Sequence, residues 1–269
     1  MISTANILAM TAEGVIVVLL VAAAFIFIKK KYSTSILATI LGAASFFIFA
    51  MVIEQIFHSV VMLILGQELF GNTLFTAIYG GLAAGIFEET GRFLVMKFLL
   101  KKKYDNPFNA LAYGIGHGGC EALLILGSAV ISNVALSLLY NSGKLVPMLG
   151  SAPEDARNQV LLSLRELERN TNYVQFLMGD AERVSAMIIH IGLSFIVWVA
   201  VVKRKTWLYP LAIILHALVD GIMVIVAGTG INLWAVEGVI FAMAVVLMII
   251  GIVIFKTNLK EEIRTFKEQ

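Results

Sequence analysis

The chain has 269 residues, of which 59% are hydrophobic and 14% charged, and a formal net charge of only +2. With a mean hydropathy of +0.91, this is the composition of a polytopic membrane protein and not of a large soluble core; the small net charge carries no information about nucleic acid, and no nucleic-acid partner is expected. One cysteine, Cys120, excludes an internal disulfide and a paired-cysteine metal site.

Apolar runs long enough to cross a bilayer fall at roughly 7–28, 34–56, 73–100, 107–139, 181–202, 206–228 and 232–255. The expected fold is therefore all-α: a polytopic bundle of about seven transmembrane helices in one integral membrane domain, 1–269. The first run lacks a basic segment ahead of it and is followed by Lys29, Lys30 and Lys31, so it reads as a first span and not a cleaved signal peptide. Lys101, Lys102 and Lys103 follow the third run, Lys203, Arg204 and Lys205 the fifth, and Lys256 and Lys260 the seventh. An alternating path puts all four clusters on one face, which the positive-inside rule makes cytoplasmic, giving N-out and C-in. The second run continues past Glu54 and His58 to Leu65, as one long helix or as a span with an interfacial turn. Glu13, Glu54 and His58 lie near the outer ends of their runs and read as interfacial. Between spans four and five, Ser151 to Glu154 resembles a capping box, and Val160, Leu164 and Leu167 recur at helical spacing beside Arg165, Glu166 and Arg169. A short amphipathic helix at the outer interface is expected there, as a connector or a substrate lid.

Against this apolar background, Glu88, Glu89 and Arg92 stand inside the third run. A charge at the centre of a membrane helix costs roughly 2.5–3.5 kcal/mol or more, so such residues face a partner or a cavity. Glu88 and Arg92 are four apart and can neutralise each other; Gly81 and Gly85 lie on the same stripe, where a neighbouring backbone can approach. The fourth run places Tyr113, His117 and Glu121 on one face within a glycine-rich stretch; the fifth carries His190 with Ser194 one turn on; the sixth carries His216 and Asp220 at i and i+4. Counted from the cytoplasmic ends at ~1.5 Å per residue, these groups lie about 15–22 Å deep. Four helices that place polar residues in one slab of a core ~30 Å thick are expected to share a polar cavity, within a site-bearing core of about 73–228.

Carboxylates and imidazoles converging in a water-poor cavity can hold a water, take its proton and stabilise an oxyanion. The same groups can ligate a metal: His117, His190 and His216 with Glu121 are an acceptable zinc set, although the HExxH spacing of helical zinc proteases is absent. His117 and Cys120 are spaced for a nucleophile pair, but a single buried cysteine is usually inert packing. No serine stands in a GxSxG context.

The order Glu-Glu-x-x-Arg (Glu88, Glu89, Arg92), aromatic-x-x-x-His (Tyr113, His117), a further His (His190), then His-x-x-x-Asp (His216, Asp220) resembles the CAAX-processing and bacteriocin-processing superfamily of intramembrane proteases, and within it the bacterial YhfC branch. The resemblance implies an endopeptidase of the bacterial cytoplasmic membrane acting on a membrane-embedded or lipid-modified peptide. In it Glu88 would activate water with His117, His216 and Asp220 would polarise the scissile carbonyl, and Arg92 would hold Glu89 or Glu88. No cofactor follows from the motif alone; zinc belongs to the metal-dependent version. Two departures stand out. The prenyl-protease motif has one more residue before its Arg, which leaves Glu88 and Glu89 both open as the base, and the last motif usually ends in Asn where Asp220 stands. Relatives include a non-catalytic scaffold subunit of γ-secretase, so a scaffold is the alternative to catalysis, with a proton- or ion-coupled transporter as the third reading.

Overall fold

The computed structural model describes residues 1–101, 106–169 and 176–268; Lys102 and Lys103 of the second basic cluster lie outside them. Every regular element among the described residues is helical. Six helices are long and apolar enough to cross a membrane: α1 (Thr4–Tyr32), α2 (Ile36–Leu65), α4 (Asn109–Asn141), α6 (Phe176–Val202), α7 (Leu208–Gly228) and α8 (Leu233–Asn258). The other long helix, α3 (Thr73–Val95), is not one of the six. It carries Glu88, Glu89 and Arg92 in the half that would have to cross hydrocarbon. Two amphipathic helices, α5 (Glu154–Arg169) and α9 (Lys260–Glu268), follow, together with a single helical turn at Leu145–Met148.

The helix ends follow their sequences. Asn72 caps α3, its side chain accepting from Phe75 N at 3.0 Å, and Asn232 caps α8 in the same way at 2.9 Å. The continuation of the second apolar run resolves as one helix, α2, interrupted by a π-helical turn at Phe49–Glu54. A second π turn, Met96–Leu100, extends α3.

The described chain divides into two compact units. The smaller takes Met1–Leu20 and Ala122–Arg183. Its core is Ile2, Leu145 and Leu164, with Val160 and Leu167 packed beside them, so the apolar stripe expected of α5 is the face it buries. Asn6 donates to the Leu167 carbonyl at 2.5 Å, and Ile2 and Asn141 exchange two bonds of 2.8 Å. The capping box does not form. Ser151 belongs to a preceding 3-10 turn (Leu149–Ser151), and Pro153, which fixes its own φ ahead of the helix, supplies the first carbonyl to Arg157 N. Glu13, read as interfacial from its place near the outer end of the first run, is buried, its carboxylate against Gly179.

The larger unit takes Val21–Glu121 and Val184–Gln269. Its core is the buried side of α6, from Leu193 to Val201, with Tyr113, Leu208, Ala212 and Leu247 among its neighbours. Within it α3 and α7 pair along much of their length. A Cβ at Gly85 would lie 2.7 Å from the Ile213 carbonyl oxygen, so only glycine admits the α7 backbone at that level. Gly114 does the same for α4 on α6, where a Cβ would lie 2.7 Å from Ile191 Cα. Further along, Thr90 and Tyr209 share a hydrogen bond of 2.7 Å, and the Phe93 and Tyr209 rings stack at 4.7 Å. The closing helix α9, for which the sequence reading made no provision, returns to this core through Ile263, with Glu262 paired to Lys203 at 2.5 Å.

Candidate active site

All the polar groups singled out on spans three to six belong to the larger unit, and the close glycine crossings bring them together. α3 supplies Glu88, Glu89 and Arg92, α4 supplies His117 and Glu121, α6 supplies His190, and α7 supplies His216 and Asp220. The three imidazoles form a row, with centroids 4.5 Å apart from His117 to His190 and 5.4 Å from His190 to His216.

Two networks share this row. In the first, Glu88 Oε2 lies 2.9 Å from His117 Nε2 and 4.0 Å from His190 Nδ1. The other nitrogen of His117, Nδ1, is buried without a protein partner. In the second, Arg92 is fully buried and spreads over three acceptors. Nη1 donates to the His190 carbonyl at 3.0 Å, Nη2 donates to His190 Nδ1 at 3.0 Å, and Nη2 lies 3.4 Å from Glu89 Oε1. Glu89, also fully buried, accepts from His216 Nδ1 at 2.9 Å, and His216 Nε2 lies 3.5 Å from Asp220. An arginine can only donate, so His190 Nδ1 is an acceptor and its Nε2 carries the hydrogen that meets Glu121 at 2.5 Å.

This differs from the expected pairing. Arg92 turns to Glu89, three residues back, and not to Glu88, four residues back. Both spacings share a helix face; the His190 carbonyl and ring draw the guanidinium towards α6 and so towards Glu89. The result separates two adjacent carboxylates by environment. Glu89 is enclosed by Arg92 and His216, while Glu88 faces His117 at 2.9 Å with His190 beyond it at 4.0 Å.

Exposure grades across the site. The side chains of Glu89, Arg92 and His117 are 0% exposed, that of Glu88 10%, and that of Asp220 40%. Glu89, Arg92 and His117 are the closed end and Asp220 the open one.

Glu54, read as interfacial like Glu13 and His58, is buried. A π turn of α2 ends at Glu54, and no residue pattern in that run marks such a turn. His58 accompanies it, 3.1 Å from Glu54 and 2.6 Å from the Tyr79 hydroxyl.

Glu88, His117 and His190 each offer a ligand atom, all within 4.8 Å of one another and all buried. Two nitrogens and a carboxylate oxygen suit a borderline ion such as Zn²⁺, and Glu121 on the far nitrogen of His190 is the kind of carboxylate that orients a ligating imidazole. The donor set fits a metal, with Arg92 then releasing the His190 Nδ1 lone pair. Of the four residues expected as ligands, His117 and His190 are in this group; His216 is engaged by Glu89 and Asp220, and Glu121 stands behind His190. Cys120 is half-buried with no ion-pair or hydrogen-bond link to His117.

The family described as YhfC intramembrane metalloprotease matches residues 16–240. The uncharacterized membrane protein YhfC of Bacillus subtilis (strain 168) is 36% identical over 220 residues, which cover 81% of this chain and 84% of that protein. No solved structure matches the chain. With six apolar spans and a Glu/His/His group buried among them, this integral membrane protein belongs to the YhfC intramembrane metalloprotease family.

Proposed function

We propose that the protein is an intramembrane endopeptidase in which Glu88, with His117, deprotonates a water that attacks a peptide bond. The observation that carries this reading is the division of labour between the adjacent carboxylates. Glu89 is engaged by Arg92 and His216, whereas Glu88 has one imidazole partner at 2.9 Å, within the reach a general base needs. His216 is held through Nδ1 by Glu89, and its Nε2 meets Asp220 only at 3.5 Å, longer than a good hydrogen bond. With Glu89 on Nδ1–H, an imidazolium at His216 keeps this loosely used Nε2–H as the donor for the carbonyl oxygen as it gains charge, and Asp220, paired with His216, fills the place of the usual Asn. A metal held by Glu88, His117 and His190 would supply a Lewis acid that activates water or the carbonyl. Arg92 sets the His190 ring and screens Glu89, and the apolar walls keep bulk water from competing for these groups.

We further infer that α3 crosses the membrane as a seventh span, that the N-terminus is outside and the C-terminus inside, and that the substrate is a membrane-embedded or lipid-modified peptide. The basic residues after α1, α3, α6 and α8 support the orientation, and the pairing of α3 along α7 supports the seventh span. The test is a proteomic comparison of membranes containing the wild-type, Glu88→Gln or Glu89→Gln protein. An intact substrate that accumulates with Glu88→Gln supports the reading. Undiminished processing by Glu88→Gln removes Glu88 from the mechanism.

A further inference from the structure

At the basic end of the larger unit, α4, α6 and α8 enclose a cavity of about 460 Å³, within the ~300–1,000 Å³ usual for small-molecule sites. Phe108, Phe195, Met248 and Ile252 wall it, α9 contributes Ile263, and its rim carries Tyr32 and the exposed Lys256. Met248 lies eight residues before Lys256, so the cavity runs roughly 12 Å along α8. Its walls are pinned in place. A Cβ at Gly251 would lie 2.5 Å from the Gly192 carbonyl oxygen, so α8 sits directly on the α6 backbone, and the Phe195 and Phe255 rings meet at 4.5 Å. On the other side Tyr32 stacks on Phe108 at 4.3 Å, and Phe266 of α9 meets Phe108 at 5.4 Å.

The basic residues at this end divide into two sets. Lys29 donates to the Thr34 carbonyl at 2.7 Å, Lys203 pairs with Glu262 at 2.5 Å, Lys205 donates to Asn258 at 2.6 Å, and Arg264 pairs with Glu261 at 2.7 Å. Lys31 and Lys256 are exposed, and neither has a carboxylate partner among the described residues. Lys31 Nζ lies 5.4 Å from the centre of the Tyr32 ring, which makes it the second cation of the cavity's rim. In a bilayer the apolar walls do not choose between lipids, because acyl chains are as apolar as the side chains they meet. Discrimination falls to the charge at headgroup level. We propose that this cavity binds one anionic glycerophospholipid, with an acyl chain between α6 and α8 and the phosphate held by Lys256 and Lys31. An ammonium meets a phosphate as a point charge, with no fixed approach to satisfy. A zwitterionic lipid brings its own cation to the same place and gains less. A purely structural pair of lysines would be bonded to the protein, as Lys29, Lys203 and Lys205 are. In the orientation inferred above, the site belongs to the cytoplasmic leaflet, whose surface potential is negative.

Binding is read on the whole protein in neutral detergent and needs no proteolysis, so its failure leaves the Glu88 mechanism standing. Phosphatidylglycerol or phosphatidylcholine with identical chains is titrated in, and the lipid retained per protein is counted by native mass spectrometry. One phosphatidylglycerol should be retained in preference to phosphatidylcholine. Lys31→Gln and Lys256→Gln should each weaken its binding about fivefold, and together about 25-fold. Lys101→Gln, which removes the same charge from a lysine that does not line the cavity, should change nothing. Ile252→Trp fills the acyl arm and should lower retention with both lysines in place. The lysine variants alter exposed side chains, so they decide the matter even where the tryptophan variant does not fold. Equal retention of the two lipids, or an equal loss in Lys101→Gln, overturns the proposal, since the lipid is then drawn to a basic surface in general. Wild-type retention in a folded Ile252→Trp also overturns it, because the lipid then rests on the rim without entering the cavity.

Discussion

Replacing Arg92 by Met should expose how the closed end of the site is held together. The guanidinium is fully buried and makes contacts of 3.0, 3.0 and 3.4 Å to the His190 carbonyl, His190 Nδ1 and Glu89. Its loss leaves the equally buried Glu89 with His216 alone. Removing one member of a buried pair costs about 3–5 kcal/mol. At ~2–4 °C per kcal/mol for a chain of this size, Arg92→Met should melt roughly 6–20 °C below wild type. Glu89→Gln in the same background removes the stranded charge along with its partner. What remains is the loss of neutral and charge-assisted hydrogen bonds to His190 and His216, so the double variant should be less destabilised than the sum of the singles by about 2 kcal/mol. Thermal unfolding in detergent can be followed with a thiol-reactive dye, because Cys120 is the one cysteine and is half-buried. Arg92→Met melting within about 2 °C of wild type, or strict additivity in the cycle, would refute the assignment of Glu89 as the partner of Arg92.

Glu88→Gln should abolish proteolysis, a loss of at least ~10²-fold, while melting like wild type; Glu89→Gln should instead lose stability and activity together, as thermal unfolding beside a processing assay will show. Gly85→Val places a Cβ 2.7 Å from the Ile213 carbonyl and must push α3 off α7, so it should break the Glu89–His216 bond and inactivate the protein even where it still inserts; cross-linking of cysteines placed on the two helices reports the separation. If the family's metal is used, elemental analysis should find near-stoichiometric metal in the purified protein, with losses in His117→Ala and His190→Ala but not in Asp220→Asn; equal retention in all three would place the ion elsewhere. Leu164→Ala, at a buried position of the smaller unit, should cost about 2–5 kcal/mol and speed proteolytic nicking within Glu154–Arg169; an unchanged nicking rate would mean that α5 is held by its polar bonds instead.

The helices were legible because apolar length is a strong signal, and the ends observed for α1, α4, α6, α7 and α8 lie within a few residues of the apolar runs. The site was legible for a different reason. In a hydrocarbon segment an ionisable residue is so costly that its presence marks a cavity, and counting rise per residue put Glu88, His117, His190 and His216 at one level. Partner choice was not legible. Glu89 and Glu88 are equally good helix-face neighbours of Arg92, and the choice was made by His190, 98 positions away. The burial of Glu54 was not legible either, because no residue pattern marks the π turn at Phe49–Glu54 that it ends. The capping-box pattern at Ser151 was a local motif overridden by Pro153, which starts the helix on its own terms. The closing helix α9 carried its signal in Ile263 and Phe266, at i and i+3, but is too polar to register in a search for spans.

The placement of the charged trio on α3 also has a consequence for how the chain is made. During synthesis α3 emerges before its partners on α4, α6 and α7. His190 follows Arg92 by 98 residues, and His216 follows Glu89 by 127. At ~5–20 residues per second, the wait for α7 is about 6–25 s. Through that interval a membrane-inserted α3 would hold Arg92 paired only with Glu89 on its own helix, with Glu88 unneutralised until His117 follows 29 residues later, so it is poorly suited to leave the translocon alone. Its release should be delayed until α7 arrives, with Gly81 and Gly85 already shaped to receive it. A stalled nascent chain ending between α6 and α7 should therefore leave α3 still cross-linkable to the translocon, and one ending beyond α7 should not.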